Sequence, residues 1–399
     1  MRSSSLAAVL TSCALVLVGC EKKESASSSA SGGTAAAPAP GGTPGVFGDT
    51  ILLGEVGSLT GSEATFGIST RNAIELAINE VNAAGGVKGK KIEIRVYDNQ
   101  SKPEEAGNAA TRLISQDHVK MILGEVASSN SLAMAPKAQE AQVPMISNAS
   151  TNPKVTQIGD YIFRVCFIDP FQGFVMAKFA HDNLKLTKVA VLRDLGSDYS
   201  QGLADVFERK FTEMGGKIVA GETYTKGSTD FRSQLTAIKR AAPDAIYIPG
   251  YYNDIGLIAR QARELGITAK LMGGDGWDSE KLFELGGSAV EGSYFSNHYS
   301  PDDPNPRVQK FIAAYKAAYG SVPDSLAALG YDAAMVAVDA IKRAPSFDRA
   351  AIRDAIAATK NYHGVTGSIT LDDNRNGTKS AVVLEVGKGK TKYVDTIAP

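Results

Sequence analysis

The chain has 399 residues and a mass of 41.9 kDa, enough for two or three domains and for a substantial core. Hydrophobic residues make up 43% and charged residues 21%, which excludes a disordered or fibrous chain. With 42 Lys and Arg against 43 Asp and Glu, a net charge of -1 gives no electrostatic reason to expect nucleic acid or an acidic membrane as partner.

Residues 1–19 carry one charge, Arg2, followed by the apolar stretch Leu6 to Val18. That stretch is too short and interrupted to stay as a spanning helix, and it predicts a bacterial secretory signal peptide. Leu17-Val18-Gly19-Cys20 resembles a lipobox, with a small residue before the cysteine at which a lipoprotein signal peptidase cleaves. Cys20 is then the lipidated first residue of the mature chain. Cleavage removes Cys13 and Arg2, leaving 41 basic against 43 acidic residues, a charge of -2. With Cys20 lipidated, Cys166 has no partner for an intrachain disulfide. It lies in the apolar string Ile162-Phe163-Arg164-Val165-Cys166-Phe167 and reads as a buried free thiol.

From Glu21 to about Gly48 the composition collapses to Ser, Ala, Gly, Thr and Pro. Together with Cys20 this predicts a flexible tether over 20–48, with a coil reach on the order of 30 Å.

After Asp49 short β-rich runs alternate with amphipathic helical stretches. Ile51 to Leu53 leads to a helix pattern over Ile68 to Val81, with Ala73, Leu76, Ala77 and Val81 on one face. Strand Lys91 to Tyr97, helix Pro103 to Ser115, strand Val119 to Leu123, helix Ser131 to Ala141 and strand Pro144 to Ser147 follow. The alternation restarts after Tyr161. It runs through strand Lys188 to Leu192, helix Gln201 to Met214, strand Lys217 to Ala220, helix Phe231 to Ala241, strand Ala245 to Ile248, helix Ile255 to Leu265 and strand Lys270 to Met272. Two α/β lobes with doubly wound parallel sheets are the expected architecture. Pro306 to Ala358 is nearly all helical pattern, including Val308 to Tyr319 and Leu326 to Ile341. Strand-like Ser368 to Leu371, Ser380 to Val386 and Thr391 to Ile397 come last. This tail is expected to cross back and finish both lobes. Lobe 1 is assigned 49–168 plus about 298–366, and lobe 2 169–297 plus about 367–399, with several hinge crossings.

Open parallel sheets bind ligands beyond the carboxyl ends of their strands. The corresponding loops of the first lobe carry Ser58 to Gly61 and Phe66, Ala127 to Asn130, and Asn148 to Thr151. Those of the second carry Asp194 to Tyr199, Tyr251 and Tyr252, and Asp275 and Trp277. Neutral donors on one side and an acid with aromatics on the other suit a small zwitterion. Hydroxyls and N–H groups near a helix start, such as Ser128, can hold a carboxylate without Arg or Lys. A buried ammonium needs an opposite charge, which Asp275 supplies. Tyr251 and Tyr252 alternate at a strand end, so Tyr251 is assigned to the cleft and Tyr252 to the core. Trp277 either lines the cleft or packs at the lobe edge.

In this order the residues resemble the type I periplasmic binding proteins, close to the branch that binds leucine, isoleucine and valine for ABC importers. The resemblance covers roughly residues 49–399. It rests on Gly61 through Phe66-Gly67, Asn82-Ala83-Ala84-Gly85-Gly86-Val87-Lys88-Gly89-Lys90, Tyr97-Asp98 and Ser128-Ser129. It continues in Met145-Ile146-Ser147, Thr151-Asn152-Pro153, Asp198-Tyr199-Ser200-Gln201-Gly202, Gly250-Tyr251-Tyr252 and Tyr331-Asp332-Ala333. By position, the resemblance implies a carboxylate site at the hydroxyl and backbone of Ser128, the backbone of Ala149 and Ser150, and Thr151. It implies an ammonium site at Thr151 and Asp275 with Tyr251 nearby, and flanking aromatics at Phe66 and Tyr199. The branch carries a glutamate where Asp275 stands, so the acid here is one methylene shorter. The small disulfide of some members is absent, its positions filled by Ser101 and Ala127.

The resemblance implies a solute-binding lipoprotein that delivers a small amino acid to a permease and ATPase on other chains. It acts as a monomer, held to the periplasmic side of a membrane by the lipid on Cys20, without cofactor or metal. A ligand sensor of the same fold, or an amide, urea or aromatic acid as ligand, stays open. Enzyme motifs are missing. Gly54-x-x-Gly57-x-x-x-Gly61 does not satisfy the dinucleotide fingerprint, and Gly387-Lys388-Gly389-Lys390-Thr391 lacks the upstream glycine of a phosphate loop. No Ser sits in a nucleophile elbow. His118, His181, His298 and His363 have no metal spacing, and each reads as a surface residue.

Overall fold

The computed structural model describes residues 46–47 and 50–399, so the signal peptide, Cys20 and the tether up to residue 45 lie outside the described residues. Strand β1 (Val46–Phe47) pairs antiparallel with β2 (Thr50–Gly57), Val46 opposite Ile51. Val46 and Phe47 fall within the expected tether of 20–48, and Val-Phe is a β-forming pair that the edge of β2 can accept.

In the first lobe, β2 is buried from Ile51 to Gly57, as a central parallel strand covered on both faces must be. Helix α1 (Ala64–Ala83) starts four residues before the apolar pattern, since its first turn packs on the loop after β2. A Cβ on Gly67 would lie 2.2 Å from the carbonyl oxygen of Ser58, so only glycine permits that approach. Then follow β3 (Lys91–Asp98) and α2 (Pro103–Ser115), whose Pro103, Glu104 and Glu105 at the start and Arg112 near the end suit the helix dipole. The lobe continues with β4 (Ile122–Leu123), α3 (Ser128–Glu140), β5 (Met145–Ser147), α4 (Lys154–Gln157) and β6 (Ile162–Arg164). The sheet order β3-β2-β4-β5-β6 is parallel throughout, with β1 on the path as an antiparallel addition.

The second lobe begins with α5 (Asp169–Lys178), which the apolar pattern does not announce. It continues through β7 (Lys188–Asp194), α6 (Asp198–Glu213), β8 (Lys217–Tyr224), α7 (Arg232–Ala241) and β9 (Ala245–Tyr247). Helix α8 (Tyr252–Glu264), β10 (Lys270–Gly273), α9 (Glu280–Gly286) and β11 (Tyr294–Asn297) complete the alternation. The order β8-β7-β9-β10-β11 repeats that of the first lobe. The chain then returns. Helices α10 (Pro306–Tyr319) and α11 (Ser325–Arg343) pack on α1, where Gly330 lets the backbones close: a Cβ there would stand 2.9 Å from the Thr70 carbonyl oxygen. Helix α12 (Arg349–Ala357) follows.

Strands β12 (Tyr362–Gly364), β13 (Gly367–Leu371) and β14 (Gly377–Thr378) form a small antiparallel sheet of their own. The expected boundary at about 367 falls at the start of β13. β13 takes the nearest partner, β12, and buries Ile369 and Leu371, so the tail joins the second sheet only at β15 (Ala381–Val386) and β16 (Thr391–Ile397). β15 runs antiparallel to β11 and β16 to β15. The chain thus passes between the sheets at Val165–Ile168, His298–Asn305 and Lys379–Ser380. Cys166, at the first passage, is buried and free, and burial pushes its thiol up to about 12. Among the described residues no helix is long and apolar enough to cross a membrane.

Candidate functional site

Both sheets have the doubly wound order whose switch point lies between the first and third strands in sequence, and ligands bind beyond the carboxyl ends there. In the first lobe those ends are followed by Phe66 (after β2), Ser128 (after β4) and Ala149 (after β5). In the second they are followed by Tyr199 (after β7), Tyr251 (after β9) and Asp275 (after β10). All six line one cavity, together with Val126, Gly276 and Leu326. The void between them is about 230 Å³, and nearly all of its lining residues are buried. It is a closed slot. Phe66 packs edge-on against Tyr251 at 5.6 Å, and Tyr251 stacks on Tyr199 at 5.2 Å and 6°.

The lobes are shut on each other around this slot. Thr65 Oγ1 and Ser279 Oγ are 3.0 Å apart, Tyr252 donates to the Ser62 carbonyl oxygen at 2.9 Å, and Ser129 Oγ donates to Asp198 Oδ2 at 2.9 Å. Asn152 Nδ2 donates to the Asp198 carbonyl oxygen at 2.8 Å, and Lys226 Nζ pairs with Glu63.

On the first-lobe side the wall is neutral. Ser128 is the first residue of α3, where backbone N–H groups have no acceptor within the helix. The loops behind it are held by Glu125, a buried acid that accepts from Ser58 Oγ at 2.9 Å, Asn99 Nδ2 at 2.9 Å and the Ala127 N–H at 2.6 Å. Arg164, fully buried, donates to the carbonyls of Ser150 and Asn152 and so ties the loop after β5 from below.

On the second-lobe side the acid is held tightly. Asp275 Oδ1 accepts from Gln172 Nε2 at 2.8 Å and Tyr199 Oη at 2.9 Å, and Oδ2 lies 2.9 Å from His298 Nε2. His298 is buried and stacks on Phe167 at 3.9 Å. Burial pushes its imidazole down to about 4, so it is neutral at pH 7 and donates from Nε2. Burial raises the phenols of Tyr199 and Tyr251 well above their ordinary value, which keeps them as neutral donors.

A profile of the periplasmic binding proteins matches residues 50–391. This chain belongs to that family. Among curated relatives, the Leu/Ile/Val-binding protein homolog 3 of Brucella melitensis is 31% identical over 326 residues, covering 81% of this chain and 87% of its own length. The leucine-binding protein LivK of Thermotoga maritima superposes with a TM-score of 0.84 at 46% identity, over 87% of this chain and 99% of its own. The branched-chain amino acid transporter substrate-binding protein LivJ of Streptococcus pneumoniae, solved with isoleucine, also reaches 0.84, at 35% identity over 88% of this chain and 100% of its own. The chain is a type I periplasmic binding protein of the branched-chain amino acid branch.

Within this binding protein, Phe66, Ser128, Ala149, Tyr199, Tyr251 and Asp275 stand on the slot, whereas Ser150 and Thr151 do not line it. Ser150 is spent on the fold: its N–H donates to Ser147 Oγ at 2.9 Å and its hydroxyl is shared among Glu125 O, Val126 O and Ser131. Thr151 is buried with its hydroxyl unpaired. Trp277 is fully buried, its indole N–H on the Ile248 carbonyl oxygen at 3.0 Å, so it packs behind the loop rather than lining the slot. His298 corrects the surface reading, because its ring lies under Asp275 with no exposed atom. Leu326, Gln172 and His298 were invisible to the sequence argument. Leu326 lies in the first turn of α11, a helix that follows no sheet strand, and the other two reach the acid only through long-range folding. A wider cavity, with a void of about 1250 Å³, lies at the crossing segments and shares His298 as a wall. Its rim is the exposed Asp302 and Asp303, and Lys379, Thr366 and Ser300 also line it.

Proposed function

We propose that this chain is the extracytoplasmic solute-binding lipoprotein of an ABC importer, which takes a branched-chain amino acid between its lobes and delivers it to a permease. The observation that carries the reading is the Asp275 carboxyl on a closed slot whose other walls are Phe66, Val126, Ala149, Tyr251 and Leu326 and the start of α3 at Ser128. The apolar walls suit an aliphatic side chain of modest size. Ser128 and the α3 N–H groups take the ligand carboxylate, and Asp275 takes its ammonium. A purely anionic aromatic acid would leave Asp275 facing a second negative charge. The isoleucine held by the S. pneumoniae relative supports the same ligand class.

Lobe 1 comprises the first sheet with α10 to α12, and lobe 2 the second sheet with β15 and β16. They rotate about the crossings at Val165–Ile168, His298–Asn305 and Lys379–Ser380, so a ligand touching both lobes shifts the population toward the closed form. The protein does no chemistry on its cargo. It acts as a monomer; permease and ATPase are other chains. Cys20 carries the lipid that holds the domain at the membrane, with the tether giving it reach.

Thermal melting against a solute panel tests the ligand. Leucine, isoleucine and valine are expected to raise the melting point, since a ligand at 100 times its dissociation constant stabilises by about 2.7 kcal/mol. Benzoate is expected to leave it unchanged. A shift with benzoate or urea and none with any amino acid sinks the zwitterion reading. For the anchor, Cys20→Ser is expected to release the protein from the membrane fraction, and unchanged membrane association refutes lipidation there.

A further inference from the structure

The Asp275 carboxylate is held unevenly. Two donors, Gln172 and Tyr199, converge on Oδ1 at 2.8 and 2.9 Å, whereas Oδ2 has His298 Nε2 at 2.9 Å. The two Oδ1 donors hold one oxygen against rotation about the Cβ–Cγ bond, and His298 adds a donor on the opposite oxygen, so it shares in holding the carboxyl plane. His298 is itself held in place. Its ring is wholly buried, clamped face-on by Phe167 at 3.9 Å and 22°, and its backbone N–H is tied to the Asn297 side chain at 2.9 Å. Asn297 in turn donates to Asp278 at 2.8 Å, and Asp278 accepts the N–H of Ser325, the first residue of α11. Nδ1 has no hydrogen-bond partner. An unpaired ring nitrogen in a dry site costs less as a bare acceptor than as an orphaned N–H, which matches the tautomer with its proton on Nε2.

Resting on the reading of Asp275 as the ammonium acceptor, we propose that His298 is a positioning residue that locks the Asp275 carboxyl plane toward the slot and so sets the preference for an α-ammonium over an α-hydroxyl. The ligand does not meet His298. An ammonium carries a full charge and gains roughly twice as much from a well-placed carboxylate as a neutral hydroxyl does, so a displaced carboxyl costs the ammonium more. Loosening the plane therefore weakens an amino acid more than its hydroxy-acid analogue. His298 also begins the second crossing between the lobes, so the segment that bends on closure carries the group that aims the acid.

The experiment compares leucine with 2-hydroxy-4-methylpentanoate by titration calorimetry in the full mature protein and in His298→Phe, His298→Gln and Asp275→Asn, with the melting point of each ligand-free variant recorded. His298→Phe keeps the stack on Phe167 but has no donor, and it is expected to weaken leucine at least tenfold and the hydroxy acid no more than threefold. His298→Gln places an amide N–H near the Nε2 position and is expected to restore most of the preference. If His298→Phe weakens both ligands by the same factor, or if His298→Gln, folded as judged by its melting point, is no better than His298→Phe, the side chain only packs and the proposal falls. Asp275→Asn separates the two readings. If it leaves the leucine preference intact, the ammonium site itself has been misassigned, whatever His298 does.

Discussion

The two lobes share one strand order and opposite chemistry. The sheet β3-β2-β4-β5-β6 and the sheet β8-β7-β9-β10-β11 present the ends of equivalent strands to the same slot. Yet the first lobe brings Phe66, Ser128 and Ala149, and the second brings Tyr199, Tyr251 and Asp275. In the first lobe Glu125, one of its buried acids, does not line the slot and is consumed by Ser58, Asn99 and the Ala127 N–H. Its role is to hold loops, and what reaches the slot is uncharged. In the second lobe the acid itself reaches the slot, with three donors behind it and two stacked tyrosines beside it. Topology thus decides where a ligand can sit, and the loop residues decide which end of it each lobe holds.

That asymmetry predicts unequal losses. Asp275→Asn is expected to cost on the order of 2 to 5 kcal/mol of leucine affinity, because it leaves a desolvated ammonium without its counter-charge. Ser128→Ala on the opposite wall is expected to cost about 0.5 to 1.5 kcal/mol, the value of one neutral hydrogen bond, since the α3 N–H groups remain. Calorimetry on the two variants at matched ionic strength checks the ratio. Equal losses would mean that the charge division between the lobes does not govern binding.

Much of this arrangement is legible in the sequence because it is local. Helix α2 spans Pro103–Ser115 as expected, since Pro at the start and acidic and basic residues at its two ends are direct boundary signals. The alternation of strands and helices is enough for two doubly wound sheets, and the rule about strand ends leads to six of the slot residues. What is not legible depends on contacts distant in sequence. Gln172 meets Asp275 across 103 positions and sits in α5, a helix with Pro170 at its start and Gly173 inside it. His298 gives no sign of burial in Ser296-Asn297-His298-Tyr299. Ser150 reads as a free donor, and only the packing against Glu125, Ser131 and Ser147 shows its polar atoms engaged. The pattern of β13 announces a strand but does not name its partner, which is β12.

The seam where the lobes meet sharpens the comparison further, through smaller effects. Lys226, in the loop after β8, pairs with Glu63 at the start of α1 and donates to the Ser101 carbonyl oxygen at 3.2 Å, so one second-lobe cation touches the first lobe twice. Asp194 and Asp254 stand on its own side. Glu63 is almost fully buried and Lys226 about one-third exposed, which places the pair between a surface and a buried ion pair. Lys226→Met is expected to lower leucine affinity roughly fivefold, about 1 kcal/mol, by weakening closure. The pH dependence has a definite sign. Burial raises the Glu63 carboxyl from its ordinary 4.5 to about 7 despite Lys226. Parting the lobes returns it to water, so closure takes up a proton between these values. That contribution is complete below pH 4.5 and is lost as pH rises through 7. Leucine keeps its zwitterionic form across pH 5.5 to 8, and His298, its imidazole pushed by burial down to about 4, stays neutral across that range, so neither masks the effect. Affinity is expected to fall several-fold from pH 5.5 to 8, and Glu63→Gln is expected to flatten most of that slope, Asp254 supplying the rest. An affinity that climbs with pH, or a Glu63→Gln variant with the parent slope, would show that the seam does not gate the closing of the lobes.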